Sequence, residues 1–367
     1  MQFLDLTAQY KSIKNEINKA VNKVLSNAHF ILGEEVTELE KEVAAYCGTQ
    51  YAIGVNSGTD ALLLALMALD IGPGDEVITT PFTFFATAEV IAVRGAKPIF
   101  VDIDPKTFNI DTEKIEEKIT AKTKAIIPVH LYGQPCEMDK IMEIAKKHKL
   151  YVIEDCAQAI GAKYKGKNVG SFGEFGCLSF FPSKNLGAYG DAGMVLTNNE
   201  KLAEKIKMLR QHGSRKKYYH ETLGVNSRID ALQAAILRVK LKYLNKWVKG
   251  RQQKAKKYNQ SLVKIKGISI PYLAKNNEHV YHQYTIRAQK RDELQQYLTK
   301  NNIPSVVYYP VPLHLQPVFT NLGHKEGDFI QTEKATTEVM SLPIYPELSQ
   351  KEQNHIIQKI KEFYASK

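Results

Sequence analysis

The residue best suited to covalent chemistry is Lys184, in the run 179–193: Ser-Phe-Phe-Pro-Ser-Lys-Asn-Leu-Gly-Ala-Tyr-Gly-Asp-Ala-Gly. A lysine amine condenses with an aldehyde to give a Schiff base, which makes it a covalent catalyst. Apolar neighbours desolvate the ammonium and lower its pKa. Glycines beside it let backbone come close to a flat ligand. Taken alone, a loop lysine is usually a solvated one. The neighbours it gains from elsewhere in the chain decide between the two readings.

Asp155 closes an apolar strand at 150–153 and precedes Lys184 by 29 residues. Ser57-Gly58-Thr59 lies between a short strand at 51–55 and a strong helix former at 61–68. Free N–H groups at such a helix start face an anion. Ser, Thr and Asp also serve there as plain helix caps. The run is no P-loop, and no G-x-G-x-x-G follows a strand. Phe82, Phe84 and Phe85 follow a strand at 76–80, either as core or as a stacking surface. Pyridoxal phosphate needs each of these parts. Its aldehyde needs a lysine, its pyridinium an anion, its phosphate N–H and hydroxyl donors, and its ring face an aromatic.

The elements that must position these residues read as alternating strands and helices through 50–200. Further strands fall at 97–102 and 124–129, with a helix at 138–148. This pattern predicts an α/β fold with a mostly parallel sheet, whose ligands sit beyond the carboxyl ends of strands. Asp155, Ser57 to Thr59 and Phe84 all lie at such ends. Residues 7–46 read as helix, broken at 27–29 and at Gly33, with an apolar segment 29–33 that is either a gate or a packed connector. A long helix is expected from 229 to about 258, turning strongly charged near Lys246. The domain boundary is placed there, giving 1–245 and a smaller C-terminal α+β domain, 246–367. That part reads as strands near 281–287 and 306–309 and helices at 291–301 and 351–364.

The chain has 367 residues, with 50 Lys and Arg against 39 Asp and Glu, a net charge of +11. That balance suits nucleic acid, a membrane surface or an anionic small substrate, or merely a lysine-rich solvated face. No basic segment carries interleaved aromatics of the kind that stack bases, so nucleic acid is not expected. The four cysteines form no C-x-x-C pair, so no metal knuckle or disulfide framework is read, and a reducing cytoplasm is expected. Neither a signal peptide nor a membrane span is expected.

Five motifs then carry a resemblance: Asn56-Ser57-Gly58-Thr59-Asp60-Ala61-Leu62, Gly72-Pro73-Gly74-Asp75-Glu76-Val77, Glu154-Asp155-Cys156-Ala157-Gln158, Ser179 through Lys184, and Asn226-Ser227-Arg228. Through them, and over nearly its whole length, the chain resembles the DegT/DnrJ/EryC1/StrS nucleotide-sugar aminotransferases. These are pyridoxal phosphate enzymes of the aspartate-aminotransferase fold, fold type I. The resemblance implies that Lys184 holds the cofactor aldehyde and shuttles a proton, that Asp155 faces the pyridinium and that Gln158 bonds the phenolic oxygen. It implies that Phe84 stacks on the ring and that Gly58, Thr59 and Ser179 bind the phosphate. Asn226 would reach the phosphate of the other subunit, in a homodimer with shared active sites.

The same resemblance implies a ping-pong reaction in which L-glutamate gives its amine to a keto-sugar nucleotide. The nearest group acts on UDP-2-acetamido-2-deoxy-3-oxo-glucuronate, for cell-surface polysaccharide. In that group the position before the Tyr-Pro is commonly histidine; here it is Tyr308. This departure makes a neutral 3-oxo-N-acetylglucosamine nucleotide, used for lipid A, a rival. His212, Arg228, Tyr308 and Tyr309 are the substrate-side candidates. The alternatives are a 4-oxo or dTDP-3-oxo-6-deoxyhexose aminotransferase, and a non-catalytic regulatory protein on the same fold.

Overall fold

A computed structural model describes residues 1–365. Its centre is a seven-stranded sheet, whose strands in chain order are β1 (Tyr51–Val55), β2 (Glu76–Thr79), β3 (Lys97–Phe100), β4 (Thr123–Ile126), β5 (Tyr151–Asp155), β8 (Phe175–Ser179) and β9 (Gly193–Thr197). Between β5 and β8 a short hairpin, β6 (Lys163–Tyr164) and β7 (Lys167–Asn168), stands apart. The strand order is β1-β9-β8-β5-β4-β2-β3. The pairs β3–β2, β2–β4, β4–β5 and β5–β8 are parallel. Only β9 runs against its two neighbours, β1 and β8.

Successive residues of these strands enter different cores, as the period of two requires. Val77, Ile153, Cys177 and Val195 face one core. Helices α3 (Gly58–Ala68), α4 (Ala86–Val93) and α6 (Glu200–Leu209) contribute to that core. Ile78, Ile126 and Val152 face α5 (Met138–His148) on the opposite side. Leu178, Met194 and Leu196 face α2 (Glu34–Cys47) and α7 (Ala231–Leu241). Helix α1 (Leu6–Asn27) lies against α7 through Ile13 and Ile17. Between α1 and α2, the Phe30 carbonyl accepts from the Ala231 amide at 2.9 Å, and Ile31 bridges Asp230. The side chains of Phe30 and Ile31 nevertheless stand exposed.

The expected long helix is two helices. α7 stops at Leu241, and α8 (Leu244–Leu262) begins after Tyr243. The Tyr243 ring stacks on Trp247 at 5.9 Å and its hydroxyl bonds Glu16. The chain turns there from the cores that α7 shares separately with α1 and with α2 toward a further core. That core gathers Tyr258, Tyr284, Ile286, Leu294, Met340 and Ile356. After the surface ribbon β10 (Ser214–Lys216) and β11 (Tyr219–His220), it is built on β12 (Ile268–Ser269), β14 (Tyr284–Ala288) and β15 (Val339–Leu342), an antiparallel sheet. β13 (Asn277–Glu278) leaves to join β6. Helices α9 (Arg291–Lys300) and α11 (Gln350–Ala365) cover the sheet, and α10 (Ile330–Glu338) leads into β15.

Residues 306–309 form no strand, only a bridge from Val306 to Ser341. Pro304 and Pro310 bound the run and offer no donor to extend it, and the Tyr308 carbonyl is taken by the Tyr132 hydroxyl. No described helix is long and apolar enough to cross a membrane.

Candidate active site

The site begins where β1 hands over to α3. Ser57 caps α3 by accepting from the Asp60 amide at 3.0 Å. Among the described residues the Gly58 and Thr59 amides donate to no protein acceptor, as the first turn of a helix leaves them. The register places Gly193, at the start of β9, between Val55 and Ser179. A Cβ on Gly58 would lie 2.6 Å from the Ser179 Cβ, and one on Gly193 would lie 2.2 Å from the Ser57 carbonyl oxygen. The two glycines thus let two strand ends close on the helix start. Gly58, Thr59 and Ser179 are brought together, and Gly193 joins them without having been singled out in the sequence.

Asp155 ends β5 and is buried. It shares a face with Ile153 and reaches α4. Its Oδ2 accepts from the Thr87 hydroxyl at 2.8 Å and its Oδ1 from the Ala157 amide at 3.1 Å. Burial raises its carboxyl above the usual range, against the lowering effect of the Ala157 and Thr87 bonds and the Lys184 charge. Glu154 points to the other face. Its oxygens accept from the amides of Gly170, Phe172 and Gly173 and lie 3.1 Å from His130 Nε2. His130 Nδ1 accepts from the Cys136 amide at 3.0 Å, so the ring proton sits on Nε2, toward Glu154. The His130 amide in turn donates to the Asp155 carbonyl. This buried network holds the end of β5 from behind. Glu154 was visible in the sequence only as the residue beside Asp155.

Lys184 lies on the loop after β8. Its amide donates to the Phe181 carbonyl at 2.8 Å, and the Ala188 amide to the Phe180 carbonyl at 2.7 Å. The residue keeps some exposed surface, yet its amine is crowded enough that desolvation lowers it to about 8, with the Asp155 charge opposing. His282 is buried nearby, and burial together with the Lys184 and Arg251 charges holds its imidazole well below the usual range. Sequence reasoning did not reach His282 or Thr87. Only Thr87, three residues after Phe84, carried a positional hint.

Gln158 and Tyr309 form the adjoining wall. Gln158 Nε2 donates to the Tyr309 hydroxyl at 3.1 Å, and its Oε1 accepts from the Tyr132 amide at 2.7 Å. Burial pushes the Tyr309 phenol up. Phe84 is 58% exposed, with its ring 6.4 Å from that of Tyr309. The Tyr308 ring lies 5.8 Å from that of Tyr309 and 6.4 Å from that of Phe3.

His212, Asn226 and Arg228 stand on a separate stretch. His212 is exposed, and its carbonyl lies 2.8 Å from His220 Nδ1. Asn226 is exposed and accepts from Arg228 Nε at 2.9 Å. Among the described residues none of the three bonds to Lys184, Asp155 or Gln158 within this chain. The buried Ser227 between them accepts from the Asn56 amide at 3.2 Å and pins the stretch beside the 56–59 turn.

This donor set fits pyridoxal phosphate. A desolvated amine and a buried carboxylate are electrostatically coupled, an exposed aromatic stands beside them, and unsatisfied amides with a serine hydroxyl lie in a cradle that a single Cβ would fill.

Comparison with known proteins agrees. The DegT/DnrJ/EryC1/StrS aminotransferase family model matches residues 11–361. The chain is 54% identical over 98% of its length to a pleiotropic regulatory protein of Geobacillus stearothermophilus, of which it covers 98%. It is 47% identical to the UDP-2-acetamido-2-deoxy-3-oxo-D-glucuronate aminotransferase of Pseudomonas aeruginosa, with 95% of this chain and 96% of that one covered. It is 42% identical to the dTDP-3-amino-3,4,6-trideoxy-alpha-D-glucose transaminase of Streptomyces venezuelae, over 98% and 95% of the two chains. The crystal structure of S. venezuelae DesV in complex with a ketimine intermediate superposes with a TM-score of 0.97 at 42% identity, covering 99% of this chain and 98% of that one. The chain belongs to the DegT/DnrJ/EryC1/StrS aminotransferase family and is an enzyme dependent on pyridoxal phosphate.

Proposed function

We propose that this enzyme moves an amino group from L-glutamate to carbon 3 of a 3-oxo UDP-N-acetylhexosamine-type sugar nucleotide, in the cytoplasm, as a homodimer with shared active sites. The observation that carries the reading is the coupled pair of a lysine amine lowered to about 8 and a buried aspartate. Pyridoxal phosphate supplies an electron sink that makes the carbon bearing the amine acidic enough to lose a proton.

The chain's own residues do the rest. Lys184 Nζ, with its proton affinity near working pH, takes a proton from one carbon and returns it to another. Asp155 stabilises positive charge on the ring nitrogen, and the Thr87 and Ala157 donors favour its ionised form. Gly58, Thr59 and Ser179 hold the phosphate, and Gln158 and Phe84 orient the ring. Residues 1–245 would carry these groups, and the smaller unit 246–367 would bring Tyr308 and Tyr309 over them. His212, Arg228 and Tyr308 are assigned to the sugar nucleotide and Asn226 to the phosphate of the other subunit.

The P. aeruginosa relative supports the UDP-3-oxo-glucuronate form. Tyr308, neutral where that group commonly has histidine, supports the uncharged 3-oxo-N-acetylglucosamine form. The S. venezuelae relative supports a dTDP sugar instead. Running the reaction backwards separates them, with 2-oxoglutarate and a panel of UDP- and dTDP-linked 3-amino and 4-amino sugars. Glutamate should form fastest from a UDP-linked 3-amino-N-acetylhexosamine. Turnover confined to dTDP or 4-amino sugars sinks the assignment. The Geobacillus relative keeps a regulatory reading in play, and cofactor bound without any amine exchange on the whole panel would favour it.

A further inference from the structure

We infer that Lys240 is a positioning residue for Lys184, gripping the carbonyl of Gly187 and so fixing the loop on which Lys184 stands. The inference rests on Lys184 being the amine that takes the cofactor aldehyde.

Lys240 projects from α7 and is 1% exposed. Its Nζ donates to the Gly187 carbonyl, three residues beyond Lys184. The same nitrogen lies 4.9 Å from the centroid of the Tyr189 ring and 6.0 Å from that of Trp247. Aromatic faces are the apolar surface best able to replace part of an ammonium's hydration. Two helical turns earlier on α7, Gln233 Oε1 accepts from the Tyr189 amide at 2.8 Å. One helix thus holds the loop at two points. On its other side the loop is tied by the Asn185 side-chain amide, which donates to the Val280 carbonyl at 3.2 Å.

Gly187 itself has no slack. A Cβ there would lie 2.3 Å from the Pro182 carbonyl oxygen. Its peptide is wedged between Pro182 and the Lys240 amine, so the orientation of its carbonyl sets the path back to Lys184. Burying a charged amine is unfavourable, and a methionine would fill the same unbranched volume without that cost. The Gly187 carbonyl and the two rings give the amine its role. Burial lowers Lys240 to about 8, and the charge of Glu347 opposes that shift.

The test uses the holoenzyme with Lys240→Met. Conversion by L-glutamate is followed in a single turnover through the visible band of the bound cofactor, and the pH midpoint of that band is titrated without substrate. The rate at saturating glutamate should fall at least about ten-fold, while the half-saturating concentration stays within about two-fold. The band midpoint should move by about half a pH unit or more. A wild-type rate with a wild-type midpoint overturns the inference.

If Lys240→Met does not fold, Gln233→Ala decides, since Gln233 is only half-buried. It should move the rate and the midpoint in the directions expected for a loosened loop, and unchanged values overturn the inference. Failure of the underlying reading shows separately: Lys184→Ala would then keep the visible band and turnover, whatever Lys240 does.

Discussion

The Thr87 hydroxyl donates to Asp155 Oδ2 across 2.8 Å of fully buried space, and Thr83 Oγ1 lies 3.1 Å behind it. Asp155 can only accept when ionised, so Thr87 must donate to it, and Thr83 must then donate to Thr87. Phe84 sits between the two threonines in sequence. The loop that presents the exposed aromatic and the acid below it are therefore one hydrogen-bonded unit. Thr87→Val keeps the shape and removes the donor. Hydrogen bonds to charged groups contribute about 1.5–3 kcal/mol, roughly ten- to a hundred-fold in rate if lost in the transition state. Thr87→Val should lower kcat by about that much, with Thr87→Ser close to wild type. Equal kcat for both variants would show that the hydroxyl does not tune Asp155.

Much of this unit was legible in sequence, for definite reasons. Asp155 and Ser57 to Thr59 fall at strand ends that alternating patterns reveal, and the five motifs fixed the family. What was not legible depends on contacts between distant segments. β9 inserts antiparallel between β1 and β8, a pairing that no local pattern encodes. The break at Tyr243 lies in a run of good helix formers and is made by contacts to Glu16 and Trp247. The expected strand at 306–309 loses its carbonyl to Tyr132, which lies 176 positions away from Tyr308. His282, Lys240 and Thr87 are ordinary residues of a strand approach and two helices until the fold turns them inward.

Gly58 makes a separate prediction about the cradle. Any Cβ there meets the Ser179 side chain at 2.6 Å and its Cα at 3.1 Å. Overpacking of this kind costs about 1–3 kcal/mol. Here the strain would be relieved by parting β8 from the start of α3. Gly58→Ala should keep its far-UV circular dichroism and bind pyridoxal phosphate at least about ten-fold more weakly by equilibrium dialysis. Unchanged affinity would mean that the cradle is not where the phosphate sits.

The lowered amine of Lys184 has a consequence for the cofactor-free protein. Its folded-state value, about 8, lies below the ordinary lysine value of 10.5. Between the two, the unfolded chain binds more protons than the native one, so stability rises with pH across that window. Below about 8 the amine is charged in both states and its burial cost is felt in full. Lys184→Met removes this contribution. In urea melts the cofactor-free variant should be more stable than wild type at pH 7, with the gap narrowing from pH 8 upward. A gap that stays constant or widens would place the amine in solvent.

The last prediction concerns residues that this chain alone leaves away from the lysine. Asn226 is exposed and bonded to Arg228, while Ser227 anchors the same stretch beside the 56–59 turn. The stretch is therefore held firmly while two of its polar side chains face outward. If Asn226 completes the site of a second copy, Lys184→Ala and Asn226→Ala damage different halves of each site. A homodimer of either variant should turn over poorly. Mixed after gentle unfolding and refolding, equal amounts should form about half heterodimers, each with one site built from two intact halves. Activity should then recover to about a quarter of wild type, and dilution that separates subunits should abolish it. No recovery on mixing, with heterodimers verified by two affinity tags, would place Asn226 in the site of its own chain.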